Sequence, residues 1–250
     1  MTGGLVLLGW FAYLWFKLPP APYEYQLITE GDSKRFTQMD LDGWPELKLG
    51  QYKVQADGVD KPIAEFIVAR QNEGPPVLIY WKNSTNEILY NFDRKPSELS
   101  ALAAAISKHA PKDALILSWW DTSRQIKLLT GHDTLFTNHL NEPLMIPITW
   151  LEQSKAIQAY ENQFWGSEIN PQEREQFERF SQALAAPAEE GVKQLRELIG
   201  SNREAYVIVH VTDLYRLGIM YPDKMGVAYQ NFPMTGNMHG MINQMKVQLK

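Results

Sequence analysis

The chain has no cysteine among its 250 residues. That absence excludes a disulfide framework, a cysteine nucleophile, an iron–sulfur cluster and a thiolate zinc site. With no C-x-x-C-H it also excludes a covalently attached c-type haem. Lack of thiols suits an oxidising compartment, where they are a liability. Positive charge is also in short supply: 24 Lys+Arg stand against 29 Asp+Glu, a formal net charge of −5. A chain with that balance lacks the electrostatic footprint of a nucleic-acid binder. Missing too are G-x-S-x-G, a P-loop, G-x-G-x-x-G, H-E-x-x-H and any internal repeat. Hydrolase, nucleotide, dinucleotide and metalloprotease readings therefore have no support, and enzymes are the least supported class. What is present, 44% hydrophobic and 21% charged residues, is ordinary for one or two folded units with a real core.

The one long apolar run is Gly3 to Phe16, uncharged and closed by Lys17 and Pro19-Pro20. At about 1.5 Å per residue it spans about 21 Å, short of a bilayer core of roughly 30 Å. Lys17 can snorkel, and Trp10, Tyr13 and Trp15 suit an interfacial belt. No basic residue precedes the run and PPAPYEY is a poor cleavage context, so residues 1–18 read as an uncleaved single-pass anchor. Lys17, Lys34 and Arg35 all follow it, and the positive-inside rule taken alone places the body in the cytoplasm.

Residues 19–50, rich in Pro, Gly and Asp, read as a linker with irregular packing. In 51–95, QYKVQA, PIAEFIVARQ, PPVLIYWKN and EILYNFD are β-enriched segments separated by turn residues, and predict a four-stranded antiparallel meander. At Pro96 the period changes. ELSALAAAISKHA places Leu99, Leu102, Ala103 and Ile106 on one helical face, with Ser97 as a cap. Pro111 ends that helix, ALILSW (114–119) is a buried strand and RQIKLLTG a further helical stretch. Three amphipathic helices follow over 149–165, 171–185 and 187–200, with Pro171 and Pro187 in first turns. AYVIVHV (205–211) reads as a second apolar, central strand, and a Met-rich tail closes the chain. The fold class is mixed α/β (α+β): anchor 1–18, linker 19–50, β-rich subdomain 51–95 and α/β domain 96–250.

The strongest local constellation is Trp119-Trp120-Asp121 with Thr122 and Ser123, at the carboxyl end of a buried strand where ligands gather in open α/β sheets. It fits a pocket for a hydroxyl, an amine or a cation. Equally, Asp121 would cap the following helix while both indoles pack. His210, with Thr212 and Asp213 after it, is the histidine most worth inspecting. In the tail, Met234, Met238, His239 and Met241 combine thioethers with an imidazole, a donor set suited to Cu(I), although methionines also fill cores. No cofactor is otherwise expected.

Two resemblances attach to these strings. ELSALAAAISKHAPKDALILSWWDTSRQIKLLTGHDTLFTNHL is similar to the soluble domain of oligosaccharyltransferase catalytic subunits. There Trp-Trp-Asp follows a helix, a proline and a buried strand, and recognises the acceptor hydroxyl. Thr122-Ser123 stand where that family has Tyr-Gly, and the acidic metal-binding loops are missing, so the likeness implies a shared binding fold and no glycosyl transfer. Over most of its length the chain resembles the hydroxylamine oxidation protein HaoB family. The likeness is carried by PPAPYEYQL after the anchor, by SELSALAAAISKHAPKDALILSWWDTSRQIKLLTG, by PLMIPITW (143–150) and by NMHGMI. It implies a membrane-anchored accessory of a multihaem hydroxylamine oxidoreductase. The body would then lie in the periplasm, against the charge-based orientation. The alternative is a small-molecule or Cu(I) binder using the Trp-Trp-Asp loop or the Met/His tail.

Overall fold

The computed structural model describes residues 10, 20–84, 96–140, 147–166, 170–200 and 203–226. The expected anchor, apart from Trp10, the segment EILYNFD and the Met/His tail lie outside the described residues. Among the described residues no helix is long and apolar enough to cross a membrane.

Two sheets organise the chain. The first is an antiparallel meander of β1 (Tyr23–Gly31), β2 (Leu47–Ala56), β3 (Ala64–Gln71) and β4 (Val77–Asn83), paired in that order. Its first strand and the opening residues Leu47 to Gly50 of its second lie in the stretch 19–50 expected to be linker, so the meander begins well before residue 51. Successive strand residues face opposite ways, and both faces are covered. On one, Leu47, Leu49, Ile67, Ala69 and Ile79 pack with Phe36 and Met39 of the 3-10 turn Ser33–Met39. On the other, Val54, Phe66 and Val68 pack on Trp165.

The second sheet is parallel: β5 (Leu115–Ser118) lies between β6 (Asp133–Thr134) and β7 (Ala205–Ile208). A central parallel strand buried on both faces is expected to be continuously apolar, and Leu115, Ile116 and Leu117 meet that demand. Ile116 packs with Ile106 of α1 (Pro96–His109) and Ile126 of α2 (Trp120–Thr130). Leu115 and Leu117 face Phe177 and Phe180 of α4 (Pro171–Leu184) and Leu217 of α6 (Val211–Met220). The 3-10 turn Ile148–Gln153 leads into α3 (Ser154–Trp165), and α5 (Ala188–Ile199) packs on α4.

Local signals account for several boundaries. Gly131, at φ 73°, closes α2 in the left-handed conformation that glycine adopts without steric cost. Asn170 accepts from the backbone N–H groups of Gln172 and Glu173, with Pro171 at the first helical position. Pro187 is the N-cap of α5 and stands just before its first turn. The strand expected over 205–211 ends at Ile208 because His210 and Asp213 form a capping box that starts α6, and it lies at the sheet's edge, with β5 in the centre.

Candidate functional site

The Trp-Trp-Asp segment sits where β5 passes into α2. Asp121 does not cap that helix: Trp119 is the N-cap residue, Trp120 begins the helix, and Asp121 stands in the first turn. There the helix dipole favours its negative charge. The segment is held by Ser123, whose hydroxyl donates to the Ser118 carbonyl at 3.1 Å and lies 2.8 Å from the Ser118 hydroxyl. Ser123 and Thr122 are buried, so Ser123 is a clasp between strand and helix.

The two indoles separate, as adjacent residues at a strand end must. Trp119 is 1% exposed and meets Phe177 edge-on at 4.8 Å. Its buried indole N–H has no acceptor among the described residues. The Arg216 guanidinium lies 5.2 Å over the same ring, a cation–π arrangement. Arg216 also reaches two carboxylates: Nη2 is 3.9 Å from Asp121 and Nη1 is 3.4 Å from Asp213. The tertiary structure thus brings Arg216 and its neighbour Asp213 against Trp119 and Asp121, far away in the chain.

His210 has a different setting from the one its position suggested. Its Nδ1 accepts from the Thr212 backbone N–H at 3.2 Å and lies 2.8 Å from the Thr212 hydroxyl. Its Nε2 is 3.8 Å from Glu98. Asp213, 2% exposed, accepts the His210 backbone N–H at 2.8 Å.

On the other side, Trp120 meets His139 edge-on at 4.6 Å, and His139 stacks on Trp165 at 4.5 Å. Arg124, 4% exposed, donates to the Pro76 carbonyl at 2.7 Å and to His139 Nδ1 at 3.1 Å. Burial lowers the Arg124 pKa to about 10, against the favourable fields of Asp121 and Glu173, and leaves it charged at neutral pH. Burial, then the neighbouring Arg124 charge, presses His139 down to about 2, so its ring is neutral.

Sequence reasoning missed Arg216, Arg124, His139 and Glu98. Arg216 had a signal, its i+3 spacing from Asp213 on a helix, hidden because the residues after the expected 205–211 strand read as part of the tail. Among the described residues no group of three or more His, Asp or Glu is placed to hold a metal ion. Met234, Met238, His239 and Met241 lie outside the described residues.

Fold and site together define a mixed α/β protein of two sheets. Its conspicuous polar centre is an arginine stacked on tryptophan between two aspartates. The sequence model of the family described as HaoA-associated protein HaoB matches residues 1–250, and the chain belongs to that family. Its role is accordingly tied to hydroxylamine oxidation and nitrification, in association with HaoA. Searches among curated proteins and among solved structures give no match.

Proposed function

We propose that this chain is a membrane-anchored accessory of hydroxylamine oxidation. It assists assembly or tethering of the multihaem oxidoreductase HaoA by direct contact. Residues 1–18 form a single pass in the bacterial inner membrane, and the body faces the periplasm. The observation that carries this reading is the family match over the whole chain, to proteins described as HaoA-associated. A contact surface is offered by the edge strand β7 and the start of α6. There Val207, Val209, Val211 and Leu214 are 43%, 43%, 52% and 41% exposed, a succession of apolar side chains of the kind that marks partner surfaces. The test is affinity capture of the tagged full chain from gently solubilised native membranes, with haem staining and mass spectrometry. Near-stoichiometric recovery of HaoA supports the reading, and its loss on V207D/V209D locates the surface. A preparation without HaoA overturns a stable complex.

A second reading is favoured by the buried Trp119 indole N–H, a donor available to a small acceptor ligand beside Asp121 and Arg216. Ligand that binds only the native state raises its melting temperature. Hydroxylamine and nitrite are the probes, and a rise unchanged in Asp121→Asn rejects the pocket. Copper at the tail is tested by the metal content of the full chain with and without His239.

A further inference from the structure

Glu161, 7% exposed on α3, is the centre of a second polar cluster in the opposite face of the meander. Its Oε1 accepts the phenol O–H of Tyr25 at 2.6 Å and that of Tyr23. Its Oε2 accepts the indole N–H of Trp165 at 2.6 Å. A buried carboxylate is costly unless hydrogen-bonded, and all three donors here belong to the side chains most easily oxidised by one electron. Each therefore has a proton acceptor in place at the atom that becomes acidic on oxidation. Burial and the Glu161 charge raise the pKa of both phenols, so Tyr23 and Tyr25 remain protonated at neutral pH.

These rings are also connected to one another and outward. Tyr25 lies 6.4 Å from Trp165 and 5.6 Å from Tyr23, centroid to centroid. Trp165 continues through the stacked His139 ring at 4.5 Å to Trp120 at 4.6 Å, half-buried at the Trp-Trp-Asp site. At the other end Tyr23 lies 5.5 Å from Trp150, also half-buried. Each step in this chain is a ring-to-ring contact of the separation that packed aromatic pairs adopt, with no gap of solvent between them.

We propose that these side chains form a hole-transfer relay, in which a strong one-electron oxidant acting at Trp120 or Trp150 yields a tyrosyl radical at the Tyr23–Tyr25 pair, with Glu161 retaining the proton. The balance is simple. The oxidant, of the class of high-valent metal centres or photogenerated metal complexes, takes one electron from the half-buried indole of Trp120 or Trp150. The resulting cation is refilled along the chain, at last from a tyrosine. As that tyrosine loses its electron its O–H bond breaks, the proton joins Glu161 as a carboxylic acid, and the oxidant leaves one electron reduced. A one-electron reductant reverses every step. The inference is independent of the proposed contact with HaoA.

The test is flash oxidation of the full-length protein by photogenerated tris(bipyridine)ruthenium(III), with persulfate as electron sink, followed by transient absorption and by electron paramagnetic resonance of trapped samples. The wild type is expected to show a tyrosyl signal. Y23F/Y25F should lower it about tenfold and trap a tryptophanyl instead, and W165F should slow its appearance from Trp120. E161Q, folded by circular dichroism, should shorten the radical lifetime about tenfold, equivalent to 1.36 kcal/mol on the decay barrier. A tyrosyl signal undiminished in Y23F/Y25F overturns the relay, as does an unchanged lifetime in folded E161Q. If E161Q fails to fold, the Y23F/Y25F comparison with Glu161 intact decides alone.

Discussion

His139 and Asp213 show how single residues write tertiary contacts into measurable behaviour. The folded pKa of His139 is about 2, whereas in the unfolded chain histidine titrates near 6.5. Between these values the unfolded chain holds one proton that the folded chain does not, so stability rises with pH across the window and is lost as pH falls through it. The urea midpoint is expected to drop between pH of about 7 and about 5, and H139F, which keeps a ring between Trp120 and Trp165, should flatten that slope. An unchanged slope would place the acid sensitivity elsewhere. Tyr23 and Tyr25, raised from the ordinary 10.0 by burial and by Glu161, act at the other extreme. Their contribution is present below that value and disappears as pH climbs above it. Asp213→Ala removes the acceptor of the His210 backbone N–H and one of the two carboxylates around Arg216. A cost of about 2–4 kcal/mol is expected in denaturant titrations, and a loss below about 0.5 kcal/mol would mean Asp121 suffices.

Helix α5 supplies a prediction that propensity alone gets backwards. Gly191 lies inside this helix, where replacement by alanine ordinarily gains about 1 kcal/mol. Here the new Cβ would stand 2.4 Å from the Ala183 carbonyl oxygen of α4. That is backbone, with no flexible end to move aside, so G191A is expected to lose about 1–3 kcal/mol net, as overpacking does. A raised melting temperature would show that α5 shifts away from α4 without cost. The N-cap of α4 behaves conventionally by contrast: Asn170→Ala should cost about 1 kcal/mol, because the backbone N–H groups of Gln172 and Glu173 lose the Asn170 side-chain oxygen that accepts from them.

At the scale of the molecule, α2 joins the two sheets. It follows β5 directly, yet Arg124 donates to Pro76 and Gln125 to Leu78, both on the meander side. Leu129 packs in the meander's core while Ile126 packs under β5. Both sheets should therefore unfold in one transition, with circular dichroism and tryptophan fluorescence coinciding. Two separated transitions would show that α2 does not transmit stability.

Period and punctuation made much of the scaffold legible. The apolar residues of β3, β4 and the 51–56 part of β2, the helical faces of α1 and α3 to α5, and the uninterrupted run of β5 are all legible in the sequence. Strand β1 escaped because YEYQLITEG breaks alternation, with Leu27 and Ile28 adjacent and both about half exposed, and because it follows prolines. The start of α6 escaped because VIVHV is β-like locally, and only the His210–Asp213 capping box turns it into a helix.

By itself, then, the sequence determined most of the local elements, β1 and α6 apart, together with the Trp-Trp-Asp turn and the family, since each is written in neighbouring residues or in whole strings. Tertiary structure alone decided that Asp121 pairs with Arg216 and does not cap a helix, and that Glu161 meets Tyr23 from 138 residues away. Such pairings depend on which faces are buried together. A buried charge takes whichever donors the packing brings within reach, and no local pattern names them.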